Sequence, residues 1–295
     1  GKANHNCAKE EVMLTKEIIN EVVGAALRED APNGDVTSEH LIPASATATA
    51  VLAAREPGVF SGSAVFVAAF KLTDSSVQVE MHIKDGEAFV AGQKLATITG
   101  PARAVLTAER IGLNFTQRMC GIATLTAQYV AKVQGTKANI LDTRKTTPNL
   151  RAFERQAVLD GRGRNHRFSL SDMVMAKDNH LAVLTAGGKD LTTELKRVKS
   201  ELPAGVKLEV EVDRIDQIAP VLAADVDIIM LDNFSLADLR EGVALIAGKC
   251  VVEASGGVNL DTVGEIAKTG VDVISVGALT HSARALDLGL DVTIE

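Results

Sequence analysis

The chain has 295 residues, of which 46% are hydrophobic and 23% charged, enough for one sizeable core or for a large and a small domain. A net charge of −7 argues against a general nucleic-acid binder, whose affinity comes from neutralising phosphates. No apolar run approaches the ~20 residues of a membrane helix, the start Gly1–Glu11 lacks the apolar core of a signal peptide, and the scattered Cys7, Cys120 and Cys250 suggest neither disulfides nor a thiolate zinc site, so a cytoplasmic protein is expected.

Taken in chain order, Thr15 is placed to cap a helix carrying Ile18, Ile19, Val22, Val23, Ala26 and Leu27 at helical spacing. Ser76 to Ile83 alternates as a half-buried strand, and Asp85-Gly86 and Ala91-Gly92 mark turns. After Gly100-Pro101 a long helical pattern runs through Ala108, Ile111, Phe115, Met119 and Ile122, and is expected to join two domains. From about residue 138 short apolar runs recur at Ile140–Asp142, Met173–Ala176, Leu208–Val212, Asp227–Leu231, Val251–Ala254 and Val271–Val276. Helical patterns at Leu191–Leu202, Ile215–Ala224 and Leu260–Thr269 separate several of them. Buried strands alternating with helices predict a parallel sheet, either a barrel or near-barrel or a doubly wound open sheet.

The residues just past each predicted strand are Thr143-Arg144-Lys145, Lys177, Glu211, Asp232, Ser255-Gly256-Gly257 and Gly277. In α/β barrels the active site is built at these tips. Arg144, Lys145, His166, Arg167 and Lys177 concentrate cations in one stretch of an acidic chain, as a ligand with several negative charges requires. Glu211 and Asp232 are carboxylates of the kind that share Mg²⁺ with substrate phosphates; alternatively either could orient a neighbouring Lys or Arg. The segments around Ser255-Gly256-Gly257 and Val276-Gly277-Ala278 let backbone N–H groups approach a phosphate, although a lone glycine turn is more often simple chain reversal.

The run Ile140-Leu141-Asp142-Thr143-Arg144-Lys145-Thr146-Thr147-Pro148 resembles the signature of quinolinate phosphoribosyltransferases. So do Asn165-His166-Arg167, Lys177-Asp178-Asn179-His180, Glu209-Val210-Glu211-Val212, Leu231-Asp232-Asn233-Phe234, Glu253-Ala254-Ser255-Gly256-Gly257 and Ser275-Val276-Gly277-Ala278-Leu279-Thr280. Leu27-Arg28-Glu29-Asp30, Gly34-Asp35-Val36-Thr37 and Glu109-Arg110 extend the similarity over roughly residues 15 to 290. The resemblance implies an N-terminal α/β sandwich over residues 1–115 and an incomplete α/β barrel over 116–281, with a tail from about 282 to 295 packing back on the first domain. It implies a homodimer with the active site at the interface, and transfer of phosphoribosyl from phosphoribosyl pyrophosphate to quinolinate with loss of carbon dioxide, using Mg²⁺. On that reading Thr143, Arg144, His166, Arg167 and Lys177 hold the quinolinate carboxylates, with Arg110 reaching in from the partner subunit. Lys145 sits at the ribose and pyrophosphate, Glu211 and Asp232 organise Mg²⁺ and ribose, and Ser255, Gly256, Gly257, Val276, Gly277, Ala278 and His281 bind the 5′-phosphate.

Two departures stand out: Arg162 and Arg164 where smaller or neutral residues are expected, and Met175-Ala176 where bulkier aliphatics are usual. The rivals are a nicotinate or nicotinamide phosphoribosyltransferase, a relative linked to molybdate transport operons, a Schiff-base lyase using Lys145 or Lys177, and a non-catalytic sensor. A nicotinate enzyme needs one carboxylate receptor at most, which the surplus of cations disfavours. His5, His40 and His82 read as surface residues.

Overall fold

A computed structural model describes residues 14–295; His5, Cys7 and the polar stretch Gly1–Glu11 lie outside the described residues. The described chain divides into two compact units. The first comprises residues up to Leu125 with Thr147–Arg162 and Ala283–Glu295; the second comprises Thr126–Thr146 and Gly163–Ser282.

The first unit begins with α1 (Lys16–Asp30), whose Thr15 side chain accepts a hydrogen bond from the Ile18 N–H, the capping expected of that threonine. Asp35 caps α2 (Val36–Leu41) in the same way. There follow β1 (Thr47–Ala54), β2 (Gly58–Val59), α3 (Ser63–Thr73), β3 (Gln78–Met81), β4 (Ala88–Phe89) and β5 (Lys94–Pro101). The helix α4 (Ala102–Lys132) is 31 residues long and contributes to both units. An antiparallel sheet forms in the order β12-β1-β5-β3, where β12 is the closing strand Leu288–Ile294, and β2 pairs with β4 separately. Ala48, Ala50, Leu52 and Ala54 of β1 are buried at every second position, the period of a strand with one covered face. They share a core with Phe66 and Phe70 of α3 and Val105, Ala108 and Leu113 of α4, so helices cover that face. The helix α5 (Arg151–Asp160) also belongs to this unit.

The second unit holds β6 (Asn139–Leu141), β7 (Val174–Ala176), α6 (Asp178–Leu184), α7 (Leu191–Glu201), β8 (Leu208–Val212), α8 (Ile218–Leu222), β9 (Ile228–Asp232), α9 (Leu236–Ile246), β10 (Val251–Ser255), α10 (Val263–Ala267), β11 (Val273–Ser275) and α11 (Ala278–His281). Its six strands are parallel and ordered β6-β11-β10-β9-β8-β7. A doubly wound sheet reverses direction around a central early strand. Here β7 to β11 run consecutively and β6 closes beyond the last, so the strands wrap into a barrel left incomplete between β6 and β7. The segment at 164–167 crosses that gap: Arg164 bridges to Leu141 on β6, and the Arg167 guanidinium donates to the Met173 carbonyl just before β7. No helix of the described residues is long and apolar enough to cross a membrane.

Candidate active site

Most of the candidate side chains fall at the C-terminal ends of the barrel strands and in the loops beyond. The result is a cavity of about 580 Å³ within the second unit, of the size that takes a small metabolite. It is lined by Thr143, Arg144 and Lys145 after β6, His166 and Arg167 from the crossing segment, Lys177 after β7, Glu211 on β8 and Asp232 on β9. Ser255, Gly256 and Gly257 after β10, and Val276, Gly277, Ala278 and His281 around α11, complete the same wall. Every site residue expected from sequence is therefore at the cavity except Arg110, which is exposed on α4 in the first unit. Arg162 and Arg164 are exposed and do not line the cavity. His40 and His82 are exposed as expected.

The cation side is held by backbone. The Lys145 N–H donates to Thr143 Oγ1 at 3.1 Å, and Thr280 Oγ1 donates to the Lys145 carbonyl at 2.7 Å, fixing the loop after β6 on α11. Asp142 is fully buried and accepts from the His166 N–H at 2.7 Å, which seats the crossing segment beside β6. Arg167 donates to the Met173 carbonyl at 3.1 Å and approaches the Met175 sulfur rather than a carboxylate. Burial and then the charge of Arg144 lower the Arg167 pKa, a sign that two guanidinium groups face one space. Like charges converge at a cost that a bound anion would offset, so this half of the cavity is suited to an anion.

The acid side behaves in the opposite sense. Burial, then the charge of Asp232, raises the pKa of Glu211; burial, then Asp213, raises that of Asp232. Lys177 opposes both shifts and Lys145 opposes that of Asp232, so acids and cations share one field. Two oxygen donors that repel one another beside a polyanion receptor are a donor set suited to Mg²⁺, a hard cation that takes one or two carboxylates and completes its shell with phosphate oxygens and water.

The glycine wall has a steric reason. Gly256 has φ +87°, a left-handed conformation, and a Cβ there would overlap the Asn233 side-chain amide. A Cβ on Gly277 would lie 2.9 Å from Lys145 Cδ and 3.2 Å from His281 Cδ2. Glycine at both places lets those side chains pack against bare backbone, and both residues line the cavity.

Residues that sequence reasoning left without a role are also at the cavity. Met175 and Met230 supply an apolar, polarisable floor. Glu253 on β10 lines the cavity and Glu209 on β8 lies behind it, both fully buried. His166 Nε2 is 2.8 Å from Glu253 Oε1 and 3.3 Å from Glu209 Oε1. Burial raises the Glu209 pKa to about 7 against the pull of His166. The signal was present in Leu-Glu-Val-Glu-Val: positions 209 and 211 have the same parity, so both acids face the same side of the strand.

An incomplete barrel whose strand tips bring cations, two carboxylates and glycine backbone to one cavity fits an enzyme that transfers a phosphorylated group. Family comparison makes this specific. Residues 35–120 match the quinolinate phosphoribosyl transferase N-terminal domain and residues 122–291 the C-terminal domain. The chain belongs to the quinolinate phosphoribosyltransferase family. It is 41% identical over 280 residues to a nicotinate-nucleotide pyrophosphorylase (carboxylating) of Mycobacterium leprae, covering 92% of this chain and 96% of that one. It is also 41% identical over 294 residues to a mitochondrial quinolinate phosphoribosyltransferase (decarboxylating) of Nicotiana tabacum, covering 94% and 83% of the two chains. The crystal structure of NadC from Streptococcus pyogenes superposes with a TM-score of 0.91 at 38% identity, over 97% of this chain and 100% of that one.

Proposed function

We propose that the protein transfers the phosphoribosyl group of phosphoribosyl pyrophosphate to quinolinate, with decarboxylation, giving nicotinate mononucleotide, pyrophosphate and carbon dioxide in NAD biosynthesis. The relatives' reaction and the family match carry the reaction type. The observation in this chain that carries the substrate choice is the convergence of Arg144, Arg167 and Lys177 on one cavity, more cationic charge than a single carboxylate calls for. An arginine fork matches a carboxylate through two parallel hydrogen bonds, so the two arginines suit the two carboxylates of quinolinate. The pyridine ring would lie against Met175 and Met230, with Thr143 beside its carboxylates. Ser255, Gly256, Gly257, Val276, Gly277, Ala278 and His281 would receive the 5′-phosphate.

The chemistry follows from charge. The bond from the ribose anomeric carbon to pyrophosphate breaks as the pyridine nitrogen forms its own bond to that carbon. Lys145 would stabilise the negative charge that develops on the departing oxygen, and the carboxylates of Glu211 and Asp232 face the positive charge that develops on the sugar. Glu211 and Asp232 would also hold Mg²⁺, which when bound neutralises part of the pyrophosphate charge. The ring nitrogen is then cationic. Its positive charge stabilises the electron pair left on the adjacent ring carbon as carbon dioxide leaves, and solvent protonates that carbon. A lone pair is the nucleophile throughout, so no general base is required. Arg110 of the partner subunit would add a further cation to the carboxylate end, consistent with its exposed position on α4, and the working form would be a homodimer.

Steady-state kinetics separate these roles. Arg144→Ala and Arg167→Ala should each raise the KM for quinolinate roughly 10- to 100-fold, the worth of a charged hydrogen bond, and leave the KM for phosphoribosyl pyrophosphate nearly unchanged. Lys145→Ala should instead lower kcat by about 100-fold or more. A loss of phosphoribosyl pyrophosphate binding in both arginine variants would reverse the assignment of the two ends of the cavity.

A further inference from the structure

A threonine on a helix ordinarily returns its hydroxyl proton to a carbonyl three or four residues back. Thr280, on the short α11, has such a carbonyl at Gly277, 3.4 Å away, but its Oγ1 lies only 2.7 Å from the Lys145 carbonyl, 135 residues distant in sequence. A hydroxyl has one proton, and the shorter bond takes it. Thr280 is 1% exposed, so solvent does not compete for that proton. The contact lies wholly within the second unit, where β11 pairs with β6 and the Val276 N–H donates to the Leu141 carbonyl at 2.9 Å. The loops after these two strands therefore leave side by side, and Thr280 ties one to the other.

Lys145 gains from such a hold. It is exposed, and a long lysine side chain loses rotamer freedom when its ammonium is confined to one place. Its N–H donates to Thr143 Oγ1 and its carbonyl accepts from Thr280, so both of its backbone polar groups are committed. The stem is confined as well: a Cβ on Gly277 would fall 2.9 Å from Lys145 Cδ, so the stem runs across bare backbone of the same turn. Asp232, at the end of β9, feels the ammonium's charge, which puts that charge on the cavity side. Thr280 itself is not among the residues that line the cavity.

We propose that Thr280 is a positioning residue for the transfer step, fixing the Lys145 backbone so that its side chain crosses Gly277 and meets the departing pyrophosphate. The inference rests on the reading of Lys145 as the group that stabilises the leaving oxygen, but not on quinolinate being the acceptor. Gly277 and Ala278 belong to the same turn as Thr280, so one short element sets both the lysine and the backbone offered to the 5′-phosphate.

A double-mutant cycle on the full chain tests this. Thr280→Val removes the hydroxyl and keeps the branched shape; Thr280→Ser keeps the hydroxyl. Thr280→Val should lower kcat roughly 10-fold through misplacement of Lys145, with both KM values within about 2-fold. Thr280→Ser should hold kcat within about 3-fold of wild type. In a Lys145→Ala background, Thr280→Val should cost nothing further, because its effect passes through the side chain already removed. Equal losses in both backgrounds, or a serine variant as impaired as the valine one, would overturn the proposal. A second readout needs no turnover: titration calorimetry of pyrophosphate in the presence of Mg²⁺. Free pyrophosphate carries in full the charge that the leaving oxygen develops during transfer. Thr280→Val should weaken its binding roughly 5-fold, and the double variant should bind no more weakly than Lys145→Ala alone. Wild-type affinity in Thr280→Val would overturn the positioning role. The expected binding pattern, in a wild-type protein that does not turn over quinolinate, would support the positioning role and overturn only the choice of acceptor.

Discussion

Asp160, at the end of α5, accepts hydrogen bonds from Ser61 Oγ at 2.7 Å and from Gln156 Nε2 at 3.1 Å. Burial raises its pKa to about 6, and Asp85 adds to the rise. The native state therefore binds this proton more tightly than the unfolded chain, where the ordinary value is 3.8. The resulting stability is fully present below about pH 4 and is lost as pH rises through about 6. Asp160→Asn should remove that loss. The difference in urea midpoint between variant and wild type should shift in favour of the variant from pH 5 to pH 8, while parallel curves would show that Asp160 does not titrate in this window. The same residue-scale logic separates what could be read from sequence at the site. Arg144, Lys145 and Lys177 were legible because charge at the end of an apolar run has few other uses. The pairing of His166 with Glu253 was not, because 87 residues separate them and only the curvature of the barrel brings them together.

At the scale of elements, the glycine wall is a loop problem as much as a binding problem. Gly256→Ala places a Cβ in the left-handed region and into the Asn233 amide, next to Asp232 at the end of β9. It should cost about 1–3 kcal/mol of stability, read as a lower denaturant midpoint. It should also raise the KM for phosphoribosyl pyrophosphate more than that for quinolinate; equal effects on both would place the loop outside the phosphate end. The barrel strands were legible because each is a short apolar run closed by a charged or glycine residue. The strands β1, β5 and β12 were harder. Thr47–Ala54 is half alanine, a residue with weak strand preference, and is a strand because it pairs on both edges. The helix expected from Leu260 starts later, at Val263, because Asn259 Oδ1 accepts from the Asp261 and Thr262 N–H groups and holds a turn first.

For the whole molecule, the unit that binds and the reaction it serves rest on different supports. The family match spans residues 35–291 and the strand order is that of an incomplete barrel, and both were legible in the signature runs. The position of Arg110 on the first unit is where one chain's sequence stops being informative, since in the proposed homodimer the group it meets would belong to a second copy. The proposed demand for two carboxylates is tested by pyrophosphate release from phosphoribosyl pyrophosphate and Mg²⁺ with quinolinate, nicotinate or nicotinamide in parallel. Release is expected with quinolinate only, with carbon dioxide formed in equal amount. Release with nicotinate but not quinolinate would retain the fold and the phosphate end and contradict the two-carboxylate receptor.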